Sequence, residues 1–155
     1  MRRSKRYDLR LLGQGKKTQY RFTEPMYEII ETFENPAPER NYTIKAVTDE
    51  VTALCPVTSQ PDYYTVVIKY VPDERCVESK SLKLYLFAYR QYGTFIETMA
   101  NKILSDLVKA CEPRWMRVSL TMKPRGGILL TTTVVHAKKG YETVGKQIYQ
   151  YKVKV

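Results

Sequence analysis

The chain has 155 residues, 43% of them hydrophobic, which suits one domain with an ordinary core. Its 26 Lys and Arg exceed 16 Asp and Glu, and a net charge of +10 favours an anionic partner such as a nucleic acid or a phosphorylated cofactor. Three cysteines without a secretory signal argue against a disulfide framework, and a single histidine argues against a zinc site. No apolar run approaches the ~18 residues that a membrane span needs. We therefore expect a cytoplasmic protein without a metal.

The chain begins with a basic arm. Residues 1–18 carry seven Lys and Arg, a pattern typical of a solvated tail, with an RNA contact as the alternative. Pro25 suits the first position of a helix, and the apolar side chains after it recur at helical spacing, which predicts a helix as far as Phe33. Residues 40–48 are then predicted to form a strand.

A loop with two prolines joins this strand to the next. Cys55 and Pro56 open the loop, and Pro61 precedes Asp62 at the start of a β-branched strand over residues 62–71. Because proline restricts its own backbone and that of the residue before it, the loop could hold a nucleophilic thiol and an acid in register. On spacing alone, a buried free cysteine beside a turn aspartate is the better interpretation.

Two helices are predicted next. Residues 78–90 carry apolar side chains at helical spacing, with Lys80 and Lys83 on another face. Residues 94–111 follow with an apolar stripe. The members of this stripe are Phe95, Met99, Ile103, Leu107 and Cys111.

Two more strands complete the predicted domain. Residues 114–123 and 128–137 alternate as strands on either side of a Gly-rich turn, and the alternating tail at 149–155 is a candidate edge strand. The order strand, strand, helix, helix, strand, strand predicts an α+β fold with a four-stranded antiparallel sheet and two helices on one face.

Two motifs carry a family resemblance. Residues 55–62 have the pattern Cys-Pro-x-Thr-x-Gln-Pro-Asp, and residues 78–85 have the pattern Glu-Ser-Lys-Ser-x-Lys-Leu-Tyr. From about Leu11 to about Ile128 the sequence resembles the nitrile reductases that convert 7-cyano-7-deazaguanine to 7-aminomethyl-7-deazaguanine on the route to queuosine in tRNA. The resemblance implies a single tunnel-fold catalytic domain over residues 19–155 and a homo-oligomer, a decamer of stacked pentamers with active sites between subunits.

The resemblance also implies a mechanism. Cys55 would add to the nitrile carbon to give a thioimidate, and Asp62 would protonate the nitrogen, a role that burial of the carboxyl would favour. Reducing a nitrile to an amine takes two hydrides, which NADPH would supply because no side chain can. The chain lacks a Gly-x-Gly-x-x-Gly motif, and by resemblance the motif at residues 78–85 binds NADPH, with Lys80 and Lys83 suited to its phosphates. Arg125, in the Gly-rich turn, is a candidate for a further bidentate phosphate contact, with an exposed turn arginine as the alternative.

The substrate contacts implied are Val77, Glu78, Ser79, Ile96 and Glu97. Glu97 would accept two hydrogen bonds from the guanine-like edge of the base. Position 96 departs from the family, which has histidine there. Ile96 cannot transfer a proton, so substrate fit, proton transfer or the reaction itself could differ. The single His136 lies in a distant predicted strand, so we expect partial activity with Asp62 as the remaining acid.

Two alternatives stay open at this point, and a third is disfavoured. Amidinotransferases of the archaeosine synthase type share the Cys and Asp chemistry and act on tRNA, which suits the net charge of +10, but they lack the second motif. A non-catalytic nucleic-acid-binding module would use the basic arm and the thirteen tyrosines, without a recognised RNA-binding signature. Zinc-dependent pterin enzymes of the tunnel fold are disfavoured by the missing ligands.

Overall fold

The computed structural model describes residue 20 and residues 24–144. The arm predicted for residues 1–18 and the strand predicted for residues 149–155 lie outside this part. In chain order the elements are a 3-10 turn (Tyr27–Ile29), β1 (Thr32–Glu34), β2 (Ile44–Leu54), β3 (Pro61–Val71), β4 (Arg75–Val77), α1 (Ser79–Phe87), a second 3-10 turn (Ala88–Gln91), α2 (Ile96–Cys111), β5 (Trp115–Met122) and β6 (Thr131–Ala137). None of the described helices is both long and apolar enough to cross a membrane.

The main sheet has four antiparallel strands in the order β2-β3-β5-β6. Alternate side chains of β3 are buried against the helices, among them Tyr64, Val66 and Ile68. Each such side chain contributes ~1.5–3 kcal/mol when fully buried. The sheet, α1 and α2 share one core, which confirms the predicted α+β fold.

Helix α2 covers the sheet with a stripe that differs at one end from the predicted one. Met99, Ile103 and Leu107 are buried as expected, but Phe95 is 55% exposed and Ile96 is only 3% exposed. Phe95 is the N-cap residue with an extended backbone (φ −80°, ψ 152°), so the helical spacing does not apply to it. The buried stripe therefore starts at Ile96.

The helix predicted from Pro25 to Phe33 is wrong. Only a 3-10 turn forms at Tyr27–Ile29, and the chain then extends as β1. This strand pairs with β4, which was not predicted, and Phe33 lies opposite Cys76. A pairing partner more than forty residues away thus overrides the local helical pattern, as tertiary contacts commonly do for short segments.

Strand β2 is longer than the predicted strand over residues 40–48, and this shortens the loop after it. A bulge between Thr48 and Val51 shifts the register by one residue and lets pairing with β3 continue to Leu54, opposite Pro61. The connection between the strands is therefore a short hairpin loop at residues 55–60, where the sequence predicted a long one.

Candidate active site

The hairpin loop at residues 55–60 holds the predicted nucleophile next to the predicted acid. The Cys55 N–H donates to the Gln60 carbonyl at 2.8 Å, and the Ser59 N–H donates to the Cys55 carbonyl at 2.9 Å. Ser59 adopts the left-handed region (φ 57°), which lets the chain reverse within six residues. Asp62 lies opposite Ala53 on the paired strand, two residues before Cys55, so both groups are at the same end of the hairpin.

The segment before α2 packs along this loop. The Leu54 N–H donates to the Tyr92 carbonyl, and the Thr94 N–H donates to the Leu54 carbonyl, both at 3.0 Å. Gly93 lies so close that a Cβ atom there would be 3.5 Å from Pro56 Cα. These contacts bring the first turn of α2, which carries Glu97, to the end of the sheet where Cys55 lies.

The Cys55 thiol is partly exposed and acidic for a cysteine. Its pKa is lowered to about 7, chiefly because the Thr58 hydroxyl hydrogen-bonds the sulfur. The backbone amides of Thr58 and Val57 add to this, and Arg125 makes a smaller contribution that also lowers the pKa. A large part of the thiol is therefore the reactive thiolate at neutral pH. Cys76 and Cys111 are buried, and burial raises the pKa of each, so Cys55 is the reactive cysteine of the described residues.

The Asp62 carboxyl is 5% exposed and lies against Arg125. Arg125 Nη1 is 3.0 Å from Oδ1 and donates to Oδ2 at 3.4 Å, while Nη2 donates to Gln60 Oε1 at 2.8 Å. Oδ1 makes the closer ion-pair contact, yet it receives no well-aligned hydrogen bond from the residues that the structure describes. A buried acceptor with this capacity unused is uncommon, and catalytic groups are one place where it is found.

Arg125 reaches this site from the turn between β5 and β6. Gly126 and Gly127, both at positive φ (57° and 80°), make the turn. The guanidinium of Arg125 binds Gln60 and Asp62 and lowers the pKa of Cys55, whereas the sequence predicted a contact with cofactor phosphate. The contact of Arg125 with cofactor phosphate stays a prediction. The ion pair of Arg125 with Asp62 is a role that the sequence did not predict.

A buried tyrosine lies beneath these groups. Tyr64 is 1% exposed, and its pKa is raised first by burial and then by the negative charge of Asp62. Arg125 opposes this shift, and the charges of Cys55 and Glu97 add to it. Four charged groups therefore lie within electrostatic reach of one hydroxyl: Cys55, Asp62, Arg125 and Glu97.

The other predicted contacts lie at β4 and the first turn of α1, where Glu78 has a role that the sequence analysis missed. Glu78 is 4% exposed and is the N-cap residue of α1. Its Oε1 accepts from the Lys80 N–H at 2.8 Å, and its Oε2 accepts from the Ser81 N–H at 2.7 Å. The carboxylate thereby fixes the helix start from which Ser79 and Lys83 extend. An acid directly before a helical pattern was the available signal.

A cavity of about 390 Å³ lies between α1 and β2. Ser79, Lys83 and Arg90 give it polar and cationic groups, Glu50 gives it one carboxylate, and Thr52 connects it to the strand that leads to Cys55. Most of its remaining lining is apolar, including Val47, Val51, Val66, Ile68, Leu82, Leu86 and Phe87. An apolar floor with two cations beside it fits part of a dinucleotide, which has flat rings and phosphates.

The two predicted substrate contacts on α2, Ile96 and Glu97, lie in different environments. Glu97 is exposed in the first turn, where a carboxylate is favoured by the helix dipole. Ile96 is 3% exposed and belongs to the core. Two loop residues were given no role from sequence: Gln60 accepts from Arg125, and Thr58 lowers the pKa of the Cys55 thiol. Their presence in the first motif was the signal that could have identified them.

Comparisons with known proteins bear on the family and the fold of the chain. The model of the family described as QueF-like protein matches residues 61–141. A protein of Alkalilimnicola ehrlichii named NADPH-dependent 7-cyano-7-deazaguanine reductase is 48% identical over 124 residues, 80% of this chain and 95% of that protein. One of the same name from Halorhodospira halophila is 50% identical over 114 residues, 74% of this chain and 96% of that protein.

A solved structure supports the fold alone. The apo form of the archaeosine synthase QueF-Like superposes with a TM-score of 0.58 at 18% identity, covering 62% of this chain and 94% of that one. The match supports the tunnel-fold arrangement of sheet and helices.

Proposed function

Because the chain belongs to the NADPH-dependent 7-cyano-7-deazaguanine reductase family, we propose that it reduces the nitrile of 7-cyano-7-deazaguanine to 7-aminomethyl-7-deazaguanine, a step in queuosine formation. The observation that carries the proposal is the acidic Cys55 thiol held in one hairpin with the buried Asp62. A nitrile carbon is an electrophile that needs a soft nucleophile at carbon and a proton source at nitrogen. The hairpin supplies both.

Cys55 begins the reaction. Its thiolate attacks the nitrile carbon, so a C–S bond forms and one π bond of the C≡N group breaks. The electron pair of that bond moves to nitrogen, which takes up one proton and becomes the N–H of a thioimidate. A pKa of about 7 gives Cys55 enough thiolate at neutral pH to start this step without a separate base.

Asp62 delivers the proton: its carboxylate first takes up a proton, released by the Cys55 thiol or taken from solvent, and then gives it to the nitrile nitrogen. Its Oδ1 receives no well-aligned hydrogen bond from the described residues, so this oxygen can face the nitrile nitrogen. Arg125 holds the carboxyl in place through the ion pair at 3.0 Å, and Gln60 holds Arg125. A general acid must first lie within hydrogen-bond reach of the atom that it protonates, and the contacts of Arg125 and Gln60 hold the Asp62 carboxyl in one orientation.

Side chains of α1 would hold the cofactor. When bound, NADPH supplies hydride, and two hydrides convert a nitrile to a primary amine. Lys83 extends from α1 beside the cavity between α1 and β2, and Lys80 lies one turn earlier. Two ammonium groups at this spacing suit the phosphates, and the apolar floor of the cavity excludes water from a bound ring.

Glu97 would orient the base. An exposed carboxylate at the start of α2 can accept two hydrogen bonds from a ring N–H and an exocyclic amine, which distinguishes a guanine-like edge from other bases. Val77 and Ser79 are the further contacts in this proposal. Glu78 would act on them through the cap it gives to α1, in addition to any direct contact.

The proposal includes a homo-oligomer. In the described part of the sheet, β2 and β6 are the outer strands, and outer strands expose backbone groups that pair readily with a neighbouring chain. A ring of subunits joined through these strands would satisfy those groups and enclose the loop that carries Cys55. We propose stacked pentamers, and the mass of the protein in solution by light scattering tests this.

One assay tests the proposed reaction. The purified protein is incubated with 7-cyano-7-deazaguanine and NADPH, and the nicotinamide absorbance is followed while the product is identified by mass. We expect two NADPH consumed for each aminomethyl product formed. An amidine product formed from ammonia, with NADPH unchanged, would instead support an amidinotransferase.

A further inference from the structure

Tyr85 is the last residue of the motif at residues 78–85, yet its side chain is fully buried and cannot contact a ligand. We propose that Tyr85 is a positioning residue: its hydroxyl, bonded to Asp106, holds α1 against α2 and so keeps the cofactor contacts of α1 in place. The inference deepens the proposed function and rests on α1 being the helix that binds the cofactor. The bond itself belongs to the free protein, so one part of the test needs no ligand.

The first argument is the direction of the hydrogen bonds around Tyr85. Its hydroxyl donates to Asp106 Oδ2 at 2.7 Å and lies 3.1 Å from the Tyr89 hydroxyl. Because a hydroxyl has one proton, Tyr85 accepts from Tyr89 while it donates to Asp106. Burial raises the pKa of both tyrosines, so each keeps its proton. Lys102 Nζ lies 2.9 Å from the same Asp106 oxygen, so the carboxylate is held in place from both sides.

The second argument is where the two helices lie on the sheet. Helix α1 packs against β2 at one edge, whereas α2 packs against β5 and β6 at the other. With nine residues against sixteen, α1 is the shorter helix, and a helix of this length depends on tertiary contacts for its stability. The hydrogen bond from Tyr85 to Asp106 joins the two helices directly and thereby anchors the shorter one to the longer one.

The third argument is that the buried cluster continues toward Cys55. The ring of Tyr89 packs edge-on against Tyr92, with 5.9 Å between the ring centroids and 87° between the planes. The Tyr92 carbonyl accepts from the N–H of Leu54, the residue before Cys55, at 3.0 Å. The cluster therefore fixes α1 relative to the nucleophile as well as to α2. A ligand that needs this arrangement binds more weakly when only a fraction of the molecules has it.

The experiment breaks the bond from each side. Tyr85→Phe keeps the ring and loses the hydroxyl, Asp106→Leu removes the acceptor, and Asp106→Asn keeps an oxygen that can accept. Tyr42→Phe is the matched control, because it loses a 2.6 Å hydrogen bond to Asn35 outside both helices. Thermal melts check that each variant folds. Binding of NADPH is measured by its fluorescence, and adduct formation with 7-cyano-7-deazaguanine is followed without cofactor by intact mass.

Hydrogen exchange of the free protein, measured by mass spectrometry, tests the bond without any ligand. The amides of α1 should exchange faster in Tyr85→Phe and Asp106→Leu than in wild type, and Tyr42→Phe should leave them unchanged. The Kd for NADPH should rise by about three- to tenfold in the same two variants, with Asp106→Asn close to wild type. The rate of adduct formation should not change in any of them, which a general loss of structure would not give.

Unchanged exchange of the α1 amides in a folded Tyr85→Phe overturns the inference, and so does an unchanged Kd for NADPH. It is equally overturned if Asp106→Asn weakens NADPH binding as far as Asp106→Leu, or if Tyr42→Phe weakens it as far as Tyr85→Phe. Failure of the proposed function would be seen separately, as a wild-type protein that forms no adduct and binds no NADPH.

Discussion

The motif at residues 55–62 and the motif at residues 78–85 together carry the family resemblance, yet the structure uses them differently. In the loop, the thiol of Cys55 is partly exposed, and Oδ1 of Asp62 is buried without a well-aligned hydrogen bond from the described residues. In the second motif, the carboxylate of Glu78 caps α1, and the hydroxyl of Ser81 accepts from the Glu31 N–H at 2.9 Å. Tyr85, at the end of the motif, is fully buried.

This difference shows that a family motif combines two kinds of residue. Reactive chemistry needs groups whose hydrogen-bonding capacity is left unused, as at Asp62 Oδ1. Binding of a large cofactor needs a surface held in one shape, so buried residues such as Glu78 and Ser81 support the exposed Lys83. Substitutions in the loop should therefore change chemical rates, whereas substitutions in the second motif should change affinity or stability.

The largest effect is expected at Asp62. Asp62→Asn removes the acid and should slow the single-turnover reduction of the nitrile by ~100- to 10,000-fold, the range typical of general acid groups. Iodoacetamide should still alkylate Cys55, since the thiol remains. Asp49→Asn, on the exposed bulge of β2, is the matched control. A rate within threefold of wild type, measured by rapid quench, would remove Asp62 from the mechanism.

A smaller effect on cofactor affinity is expected at Lys83. Lys83→Ala removes an ammonium beside the cavity between α1 and β2, and should raise the KM for NADPH by ~10- to 100-fold, as for loss of a charged hydrogen bond. Adduct formation without cofactor should not change. The same substitution at the exposed Lys139 controls for net charge. An unchanged KM together with loss of the adduct would place Lys83 with the substrate instead.

Ile96→His should change both stability and rate. Placing an imidazole where a core side chain is 3% exposed should cost ~1–3 kcal/mol of unfolding free energy. An imidazole that turns out of the core toward Glu97 would add a second proton donor, and the single-turnover reduction should then become faster while NADPH binding stays the same. Ile96→Leu serves as the control for packing. A folded variant that reduces the nitrile no faster would exclude this position from proton transfer.

The smallest effect is expected at Glu78. Glu78→Ala removes the cap of α1 and should lower the unfolding free energy by ~1 kcal/mol, a fall in Tm of ~2–4 °C. Glu78→Asp keeps a carboxylate at the cap and should lose less. Differential scanning calorimetry gives both values. If the two variants melt at the same temperature as wild type, the hydrogen bonds to Lys80 and Ser81 do not stabilise the helix.

Much of the fold could be predicted because its long elements have strong periodic patterns. Strands β3 and β5 and helix α2 were each predicted within a few residues. The short pair of β1 and β4 could not be predicted, because three residues carry too little pattern and each strand depends on the other. The bulge in β2 was missed since only pairing with β3 shows where the extra residue lies.

The site was predictable where its residues are neighbours in sequence. Cys55 and Asp62 are joined by one loop, so their proximity follows from the hairpin. Arg125 is 63 residues from Asp62, and its place beside that carboxylate depends on the register of three strands. The direction of Ile96 was missed because the position of the first helical residue sets which side chain faces the core.

The central claim is that Cys55 forms a covalent bond with the nitrile carbon. Intact mass spectrometry after incubation with 7-cyano-7-deazaguanine, without NADPH, tests it directly. The account predicts that the wild-type protein gains the mass of one substrate molecule per chain, that Cys55→Ala gains none, and that NADPH removes the added mass. An adduct that persists in Cys55→Ala, or a folded wild-type protein that gains no mass at any pH between 6 and 9, would contradict it.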